Sequence, residues 1–180
     1  DMDTDGDMDF VISSYNNSSE KEIIWYENEN NNFSNPRLLH SNRSLYFSIT
    51  DLNNDNLPDV VTPLPSGFLS ITNTGDAESF SKRTIELPFI DYCDLVVGDV
   101  NNDGLNDVVT ASSLITFYQT ISIEPYRFRT RTPFSVLGNT TVFHKVDLRD
   151  LDDDNDLDLV YCSQYGLYWR ENDGSGGFSN

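Results

Sequence analysis

The sequence predicts an all-β fold built from four copies of one unit of about fifty residues. Three observations support this prediction. An acidic nine-residue motif occurs four times at nearly constant spacing, short apolar segments surround the copies at matching positions, and no segment shows the apolar periodicity of a helix. A period near fifty residues is the size of a four-stranded propeller blade. The motif copies span Asp1–Asp9, Asp51–Asp59, Asp99–Asp107 and Asp150–Asp158.

The apolar segments of each unit are interpreted as antiparallel strands. Alternating apolar residues before the second, third and fourth motifs indicate a half-buried first strand, and a continuous apolar run after every motif indicates a buried second strand. The first strands contain Phe47 with Ile49, Leu95 with Val97, and Val146 with Leu148; the second strands contain Phe10–Ile12, Val60–Val61, Val108–Val109 and Leu159–Tyr161; the third contain Ile23–Tyr26, Phe68–Ile71, Leu114–Tyr118 and Leu167–Trp169; the fourth contain Arg37–Leu39, Arg83–Leu87 and Arg127–Thr132.

The expected architecture is one partial β-propeller of four-stranded antiparallel blades over residues 1–180. Blade 1 covers approximately residues 1–42, blade 2 residues 43–90, blade 3 residues 91–138 and blade 4 residues 139–180. The predicted strands number three, four, four and three, so blades 2 and 3 are complete and blades 1 and 4 are partial. Because open sheet edges promote aggregation, we expect the remaining blades or strands to come from the same chain or from another chain.

Composition limits the classes of partner. The net charge of −19 would repel a polyanion and argues against nucleic-acid binding. The hydrophobic content of 37% is sufficient for a buried core, so an acidic disordered segment is not expected. This segment contains no apolar stretch long enough to span a membrane. Two cysteines, Cys93 and Cys162, cannot form a disulfide framework, and either free thiols or a single disulfide are compatible with them.

The repeated motif has the pattern of a calcium-binding loop. Oxygen-bearing side chains occupy positions 1, 3, 5 and 9, and Gly or Asn at position 6 permits the positive φ that a tight curl requires. Position 7 is expected to offer its backbone carbonyl, because its side chain varies. We expect about one calcium ion per loop, four in total, with these ligands: Asp1, Asp3, Asp5, Asp7 and Asp9; Asp51, Asn53, Asp55, Leu57 and Asp59; Asp99, Asn101, Asp103, Leu105 and Asp107; Asp150, Asp152, Asp154, Asp156 and Asp158.

Two other interpretations of the motif fit the sequence less well. Acidic and amide-rich segments are often solvated turns, but four copies at constant spacing between apolar strands disfavour that interpretation. An EF-hand needs a carboxylate at position 12 of its loop and helices on both sides. Position 12 is Ile12, Thr62, Thr110 or Tyr161 here, and the predicted flanks are strands.

The acidic loop followed by Asp and two apolar residues resembles the FG-GAP/VCBS repeat family, which also forms the propeller of integrin α-subunits. Two further segments, Trp25–Asn28 and Trp169–Gly174, resemble the third strand of a VCBS repeat and its turn. Blade 3 departs from this pattern between Gln119 and Thr132. The resemblance implies a larger propeller, often of seven blades, that is extracellular or on the cell surface. It also implies structural calcium in loops between first and second strands, with any ligand bound elsewhere.

The leading functional hypothesis is an extracellular, calcium-stabilised module for adhesion, protein–protein interaction or extracellular assembly. A carbohydrate-binding, lectin-like propeller is the alternative, and a polysaccharide-cleaving enzyme is the least favoured. No catalytic residues are assigned, since His40 and His144 are better explained as surface or strand positions. Trp25, Tyr26, Tyr168 and Trp169 could form a sugar-stacking platform, but packing between blades is the favoured interpretation. N-glycosylation sequons, which favour a secreted glycoprotein, occur at Asn16, Asn17, Asn32, Asn42 and Asn139.

Overall fold

The computed structural model describes residues 1–42, 45–75, 79–87, 94–123, 125–131 and 143–179 of the 180-residue chain. Within these ranges every regular element is a strand, so the predicted all-β class is confirmed. The strands are β1 (Phe10–Tyr15), β2 (Lys21–Glu29), β3 (Asn32–Asn42), β4 (Ser48–Thr50), β5 (Asp59–Leu64), β6 (Gly67–Asn73), β7 (Phe80–Glu86), β8 (Asp94–Gly98), β9 (Asp107–Ala111), β10 (Ile115–Ile123), β11 (Tyr126–Arg131), β12 (Phe143–Arg149), β13 (Asp158–Ser163) and β14 (Gly166–Arg170).

The strands form four antiparallel sheets in which neighbours in sequence are neighbours in space. Sheet 1 has the order β1-β2-β3, sheet 2 β4-β5-β6-β7, sheet 3 β8-β9-β10-β11 and sheet 4 β12-β13-β14. Consecutive strands pair as hairpins throughout, as expected for up-and-down propeller blades. In the described part of the chain the sheets contain three, four, four and three strands, as the sequence predicts. Their arrangement confirms the predicted fold class.

Three hydrophobic clusters form the core, and each lies between two consecutive sheets. Trp25 and Ile23 of sheet 1 pack against Val60 and Ile71 of sheet 2, and all four are fully buried. The other two clusters join sheet 2 to sheet 3 and sheet 3 to sheet 4 in the same manner. First strands also meet across sheets, since β4 contacts β8 and β8 contacts β12. The continuous apolar runs of β5 and β9 are buried because each of these sheets is covered on both faces.

The aromatic residues of blades 1 and 4 differ in burial. Trp25 is enclosed and meets Phe80 of sheet 2 edge to face, with ring centroids 5.8 Å apart. Trp169 occupies the equivalent place in sheet 4 but is 49% exposed, and Tyr168 is 39% exposed. Within the described residues no sheet lies against this face of sheet 4, so packing between blades stays a prediction for these two residues.

Blade 3 keeps four strands although its sequence departs from the repeat. Strand β10 pairs with β11 from Phe117 to Ile123, with an irregularity between Thr120 and Ser122. This shift accommodates the outer half of the blade, and Tyr126 and Phe128 of β11 pack on the cluster between sheets 2 and 3. The inner hairpin of β9 and β10 stays in regular register.

Three sequence predictions concern residues outside the described ranges. These are Cys93, the sequon at Asn139, and the second and third residues of the sequon at Asn42, while Cys162 is half-buried in β13. Asn17 is exposed in the turn after β1, and Asn32 is exposed at the start of β3. The Asn16 amide instead stabilises the turn, because its Nδ2 donates to Glu22 Oε1 (2.8 Å). Searched over the described residues, the chain contains no helix with the length and hydropathy of a membrane span.

Candidate metal centre

The four acidic motifs adopt one loop conformation, and we name them loops 1 to 4 in chain order. Loops 2, 3 and 4 connect β4 to β5, β8 to β9 and β12 to β13, and loop 1 leads into β1. Position 6 has positive φ in every loop, as the sequence predicts. Position 4 shares this conformation, which was not predicted, although Asn at two of these positions was a signal. The φ values are 63°, 61°, 55° and 63° for Thr4, Asn54, Asn102 and Asp153, and 99°, 67°, 84° and 72° for Gly6, Asn56, Gly104 and Asn155.

Carboxylates at positions 1 and 5 stabilise the curved backbone of each loop by accepting hydrogen bonds from backbone N–H groups of the same loop. The position-1 carboxylate accepts a hydrogen bond from the backbone N–H of position 6, and the position-5 carboxylate accepts one from position 7. In loop 3, for example, Gly104 donates to Asp99 Oδ2 (2.8 Å) and Leu105 donates to Asp103 Oδ1 (3.0 Å). The same pairs recur in loops 1, 2 and 4.

The position-9 carboxylate closes each loop and ties it to the third strand. Its Oδ2 accepts a hydrogen bond from the N–H of position 2, and its Oδ1 accepts one from a residue in or just after the third strand. Asp59, Asp107 and Asp158 are fully buried in this role. The Oδ2 bonds come from Met2 (2.7 Å), Leu52 (3.1 Å), Val100 (3.2 Å) and Leu151 (3.1 Å). The Oδ1 bonds come from Asn28 (2.9 Å), Asn73 (2.8 Å), Thr120 (2.7 Å) and Asn172 (2.9 Å).

The residue that donates to position 9 was not assigned a role from sequence, although its recurrence as Asn was visible. Its side chain also connects neighbouring blades. Asn73 Nδ2 donates to the Met2 carbonyl of loop 1 (2.5 Å), and Asn172 Nδ2 donates to the Val100 carbonyl of loop 3 (2.8 Å). In blade 3 this residue is Thr120, whose hydroxyl donates to the Asn106 carbonyl within its own loop (2.6 Å).

Loops 2, 3 and 4 are also joined directly by amide side chains. Asn54 Nδ2 donates to the Gly104 carbonyl (2.6 Å), and Asn102 Nδ2 donates to Asp156 Oδ1 (2.5 Å). Asn106 Nδ2 donates back to the Asp51 carbonyl. These hydrogen bonds link loop 2 to loop 3 and loop 3 to loop 4.

Acidic oxygens converge in two of the loops. One oxygen each of Asp1, Asp3 and Asp9 lies within 4.8 Å of the others in loop 1, and Asp150, Asp152 and Asp154 converge in the same way in loop 4. Within the described chain, the enclosed Asp1 Oδ1 has no hydrogen-bond partner. Such convergence of unneutralised carboxylate oxygens fits a hard divalent cation.

The amides at position 3 give loops 2 and 3 a different arrangement. Asn53 Nδ2 donates to Asp55 Oδ2 (2.9 Å), and Asn101 Nδ2 donates to Asp103 Oδ2 (2.9 Å). Loops 1 and 4 have Asp3 and Asp152 at this position, and a carboxylate has no proton to donate at neutral pH. In loops 2 and 3 the position-3 amide therefore donates to one oxygen of the position-5 carboxylate. In loops 1 and 4 that oxygen receives no amide hydrogen bond from position 3.

Burial changes the protonation of the loop carboxylates. Desolvation raises the pKa of Asp107 to about 7 and that of Asp59 to about 6; backbone N–H donors oppose this, and neighbouring loop carboxylates add to it. Desolvation also raises the pKa of Asp3, with contributions from the charges of Asp9, Asp5 and Glu27. The pKa of His40 is lowered by burial and by Lys82. That shift does not indicate a catalytic histidine.

Without divalent cations, the protein should lose stability as the pH rises from about 4 to about 7. The pKa of Asp107 is higher in the folded state than in the unfolded chain. The protonated carboxyl therefore contributes its full stabilisation of the fold at pH values below the unfolded pKa. This stabilisation is lost as the pH rises through the folded pKa. Urea denaturation of metal-free protein at pH 5 and pH 8 measures this difference. The Asp107→Asn variant, which cannot ionise, should show a smaller difference. An unchanged difference in the variant would assign the pH dependence to other groups.

Comparison with known proteins agrees with the sequence resemblance. Residues 1–62 match a family model described as an FG-GAP-like repeat, so the resemblance is confirmed over these residues. No curated protein matches the chain. The fold is similar to that of an Agrocybe aegerita lectin solved to explain recognition of non-reducing terminal N-acetylglucosamine. The TM-score is 0.60 at 13% identity, over 96% of this chain and 51% of the lectin.

A second solved structure with a similar fold is the Photorhabdus luminescens Tc holotoxin pore. The TM-score is 0.52 at 19% identity, over 98% of this chain and 9% of that chain. This chain therefore corresponds to about half of the lectin and to a small part of the toxin. At these identities the likeness concerns the fold alone.

Proposed function

We propose that this chain is a calcium-stabilised β-propeller module whose acidic loops hold the blades together while other surfaces bind a partner. The observation that carries the proposal is the single conformation shared by four loops, in which carboxylates turn inward and close onto the third strand. The FG-GAP-like repeat in residues 1–62 supports it. Titration of metal-free protein with calcium by calorimetry tests it, with saturable binding as the expected result. Absence of binding at millimolar calcium would contradict it.

Calcium suits these loops better than other common metals. Calcium takes six to eight oxygen ligands at about 2.3–2.6 Å, whereas zinc sites are typically built from Cys and His. All nine positions of each motif lack Cys and His. Magnesium requires a near-ideal octahedron and retains several waters, so it is a poorer match for a loop with five oxygen-bearing positions. We propose the predicted ligand set, with one ion per loop.

The loops should differ in affinity, with loop 4 binding calcium more tightly than loop 3. Loop 3 has one carboxylate fewer at positions 1, 3, 5 and 9, which offer side-chain ligands, and its Asn101 amide must leave Asp103 before its oxygen can face an ion. The Asn101→Asp variant should raise the affinity of loop 3 roughly tenfold, which corresponds to about 1.4 kcal/mol. Calorimetry of both proteins measures it. Ser113→Asp, which adds the same charge in the β9–β10 turn, is the matched control. Equal effects of the two variants would refute the ligand argument.

We further propose that the module acts outside the cell or at its surface, in adhesion, protein–protein interaction or extracellular assembly, and that it is not an enzyme. The net charge of −19 and the distribution of acids in repeated loops support a structural use of these acids. Extracellular calcium modules typically bind with Kd values of about 10⁻⁴–10⁻³ M, so such loops would be occupied there. Retention of a partner by the calcium-loaded chain, and loss of retention after chelation, is the expected result.

Carbohydrate binding is a second candidate function. Tyr165, Leu167 and Trp169 are exposed in and beside β14 of sheet 4, and aromatic faces of this kind can stack on sugars. A neighbouring surface pocket of about 300 Å³ is lined by Glu171, Asn172, Asp173, Gly177, Phe178 and Ser179. The fold likeness to a lectin agrees with this candidate. A glycan array with the natural chain and the Trp169→Ala variant separates it from protein binding.

A further inference from the structure

A position in the third strand lies beside each loop without belonging to its motif. It immediately precedes the residue whose backbone N–H closes the position-9 carboxylate, and we name it the strand-3 position. Since the closing residue is hydrogen-bonded to the loop in every blade, its predecessor is held at the loop edge. The strand-3 residues are Glu27, Thr72, Gln119 and Glu171 for loops 1 to 4.

Blade 3 shows that a side chain at this position reaches the loop. Gln119 Nε2 lies 3.4 Å from Asp103 Oδ2, the position-5 carboxylate. The same oxygen accepts the Asn101 amide at 2.9 Å. Gln119 Oε1 is enclosed and has no hydrogen-bond partner among the described residues. Two amides thus converge on a carboxylate to which a cation would otherwise bind.

Blades 1 and 4 have a carboxylate at the strand-3 position. Each glutamate immediately precedes a residue whose backbone N–H donates to the position-9 carboxylate, Asn28 at 2.9 Å and Asn172 at 2.9 Å. The backbone therefore places both glutamates at the edge of their loops in the way that it places Gln119 beside loop 3. Glu27 is also held in place, because its Oε2 accepts a hydrogen bond from Arg37 at 2.8 Å.

The coordination number leaves room for a group outside the motif. The motif offers five oxygen-bearing positions, and calcium takes six to eight oxygen ligands, which protein groups or water can supply. Both oxygens of the position-9 carboxylate already accept backbone N–H bonds, which limits what that residue can offer an ion. A carboxylate from the adjacent strand supplies a further oxygen without lengthening the loop.

We propose that the strand-3 position is a further component of the cation site, in which Glu27 and Glu171 each contribute a carboxylate to loops 1 and 4. This inference rests on the proposed calcium binding. In loop 3 the Gln119 amide donates to Asp103 and so partly replaces the positive charge that an ion would place beside this carboxylate. The strand-3 residue thus varies together with position 3: Asp3 with Glu27 and Asp152 with Glu171, but Asn53 with Thr72 and Asn101 with Gln119.

Terbium luminescence distinguishes these loops, because terbium replaces calcium and its emission is sensitised by nearby tryptophan. The two tryptophans of the chain, Trp25 and Trp169, each lie two residues before a strand-3 glutamate. In the Trp169→Phe chain, the sensitised emission comes from terbium near Trp25, which lies beside the strands that follow loops 1 and 2. Adding Glu27→Gln should weaken the loop 1 component of terbium and competing calcium binding roughly tenfold. In the otherwise natural chain, Glu171→Gln should weaken the part of the signal that depends on Trp169.

Two further variants make the test specific. Glu86→Gln removes the same charge at an exposed site in sheet 2 and should leave the affinities of loops 1 and 4 unchanged. Gln119→Glu should raise the calcium affinity of loop 3, a gain that damage to the fold cannot produce. If the natural chain binds terbium but Glu27→Gln and Glu171→Gln bind as tightly, this inference is wrong and the proposed function stands. If the natural chain binds neither ion, the proposed function fails and the inference with it.

Discussion

Replacement of Asp107 by Ala should lower the free energy of unfolding by about 3–6 kcal/mol. The Asp107 carboxylate is fully buried and accepts backbone N–H bonds from Val100 (3.2 Å) and Thr120 (2.7 Å). At pH 8 the Asp107 carboxyl, with its pKa of about 7, is mostly ionised. A hydrogen bond to a charged group contributes about 1.5–3 kcal/mol, and its loss leaves a buried donor unsatisfied. This loss is a large fraction of a total stability of about 5–15 kcal/mol.

Denaturant unfolding followed by circular dichroism measures this effect. The matched control is Asp103→Ala, which removes an exposed carboxylate from the same loop and should cost much less in metal-free buffer. Asp107→Asn should lie between the two, because an amide retains one oxygen acceptor but turns a donor toward the second N–H. Equal destabilisation by Asp107→Ala and Asp103→Ala would show that position 9 does not close the loop.

Removal of calcium should lower the melting temperature by several degrees. An ion that binds only the folded chain at about 100 times its Kd stabilises it by about 2.7 kcal/mol per site. For a chain of this size, about 1 kcal/mol shifts the melting temperature by 2–4 °C, so one occupied site accounts for about 5–11 °C. Without the ion, five carboxylates of loop 1 and six of loop 4 repel one another.

Thermal melts in calcium, and in chelator at matched ionic strength, check this expectation. Magnesium at the same concentration is the control, since it screens charge equally but fits the loops poorly. The transition should remain a single step, because Asn54 and Asn102 hydrogen-bond loops 2, 3 and 4 to one another and Asn73 hydrogen-bonds blade 2 to loop 1. An unchanged melting temperature in excess chelator would contradict structural calcium.

Much of the fold was predictable because the repeat carries local information. The alternation of apolar and polar residues before the motif and the continuous apolar runs after it correspond to strands in sheets 2 to 4. The alternation is informative because successive side chains of a strand point to opposite faces of the sheet. Gly or Asn at position 6 anticipated the loop conformation for an equally local reason, the low cost of positive φ in these residues. The different exposure of Trp25 and Trp169 does not follow from their similar local sequences, because burial of a sheet face depends on whether another sheet lies against it.

The sequence by itself determined the class of fold, the number of repeated sheets and which residues form the acidic loops. These features follow from patterns within about nine neighbouring residues or from their recurrence. Only the tertiary structure decided which groups enclose a loop. Thr120 closes Asp107 from thirteen residues away, Asn172 reaches the Val100 carbonyl of the preceding blade, and Gln119 approaches Asp103 from the third strand. The physical reason is that hairpin register and the packing of one sheet on the next bring these groups together. Neither can be deduced from the local periodicity of apolar residues.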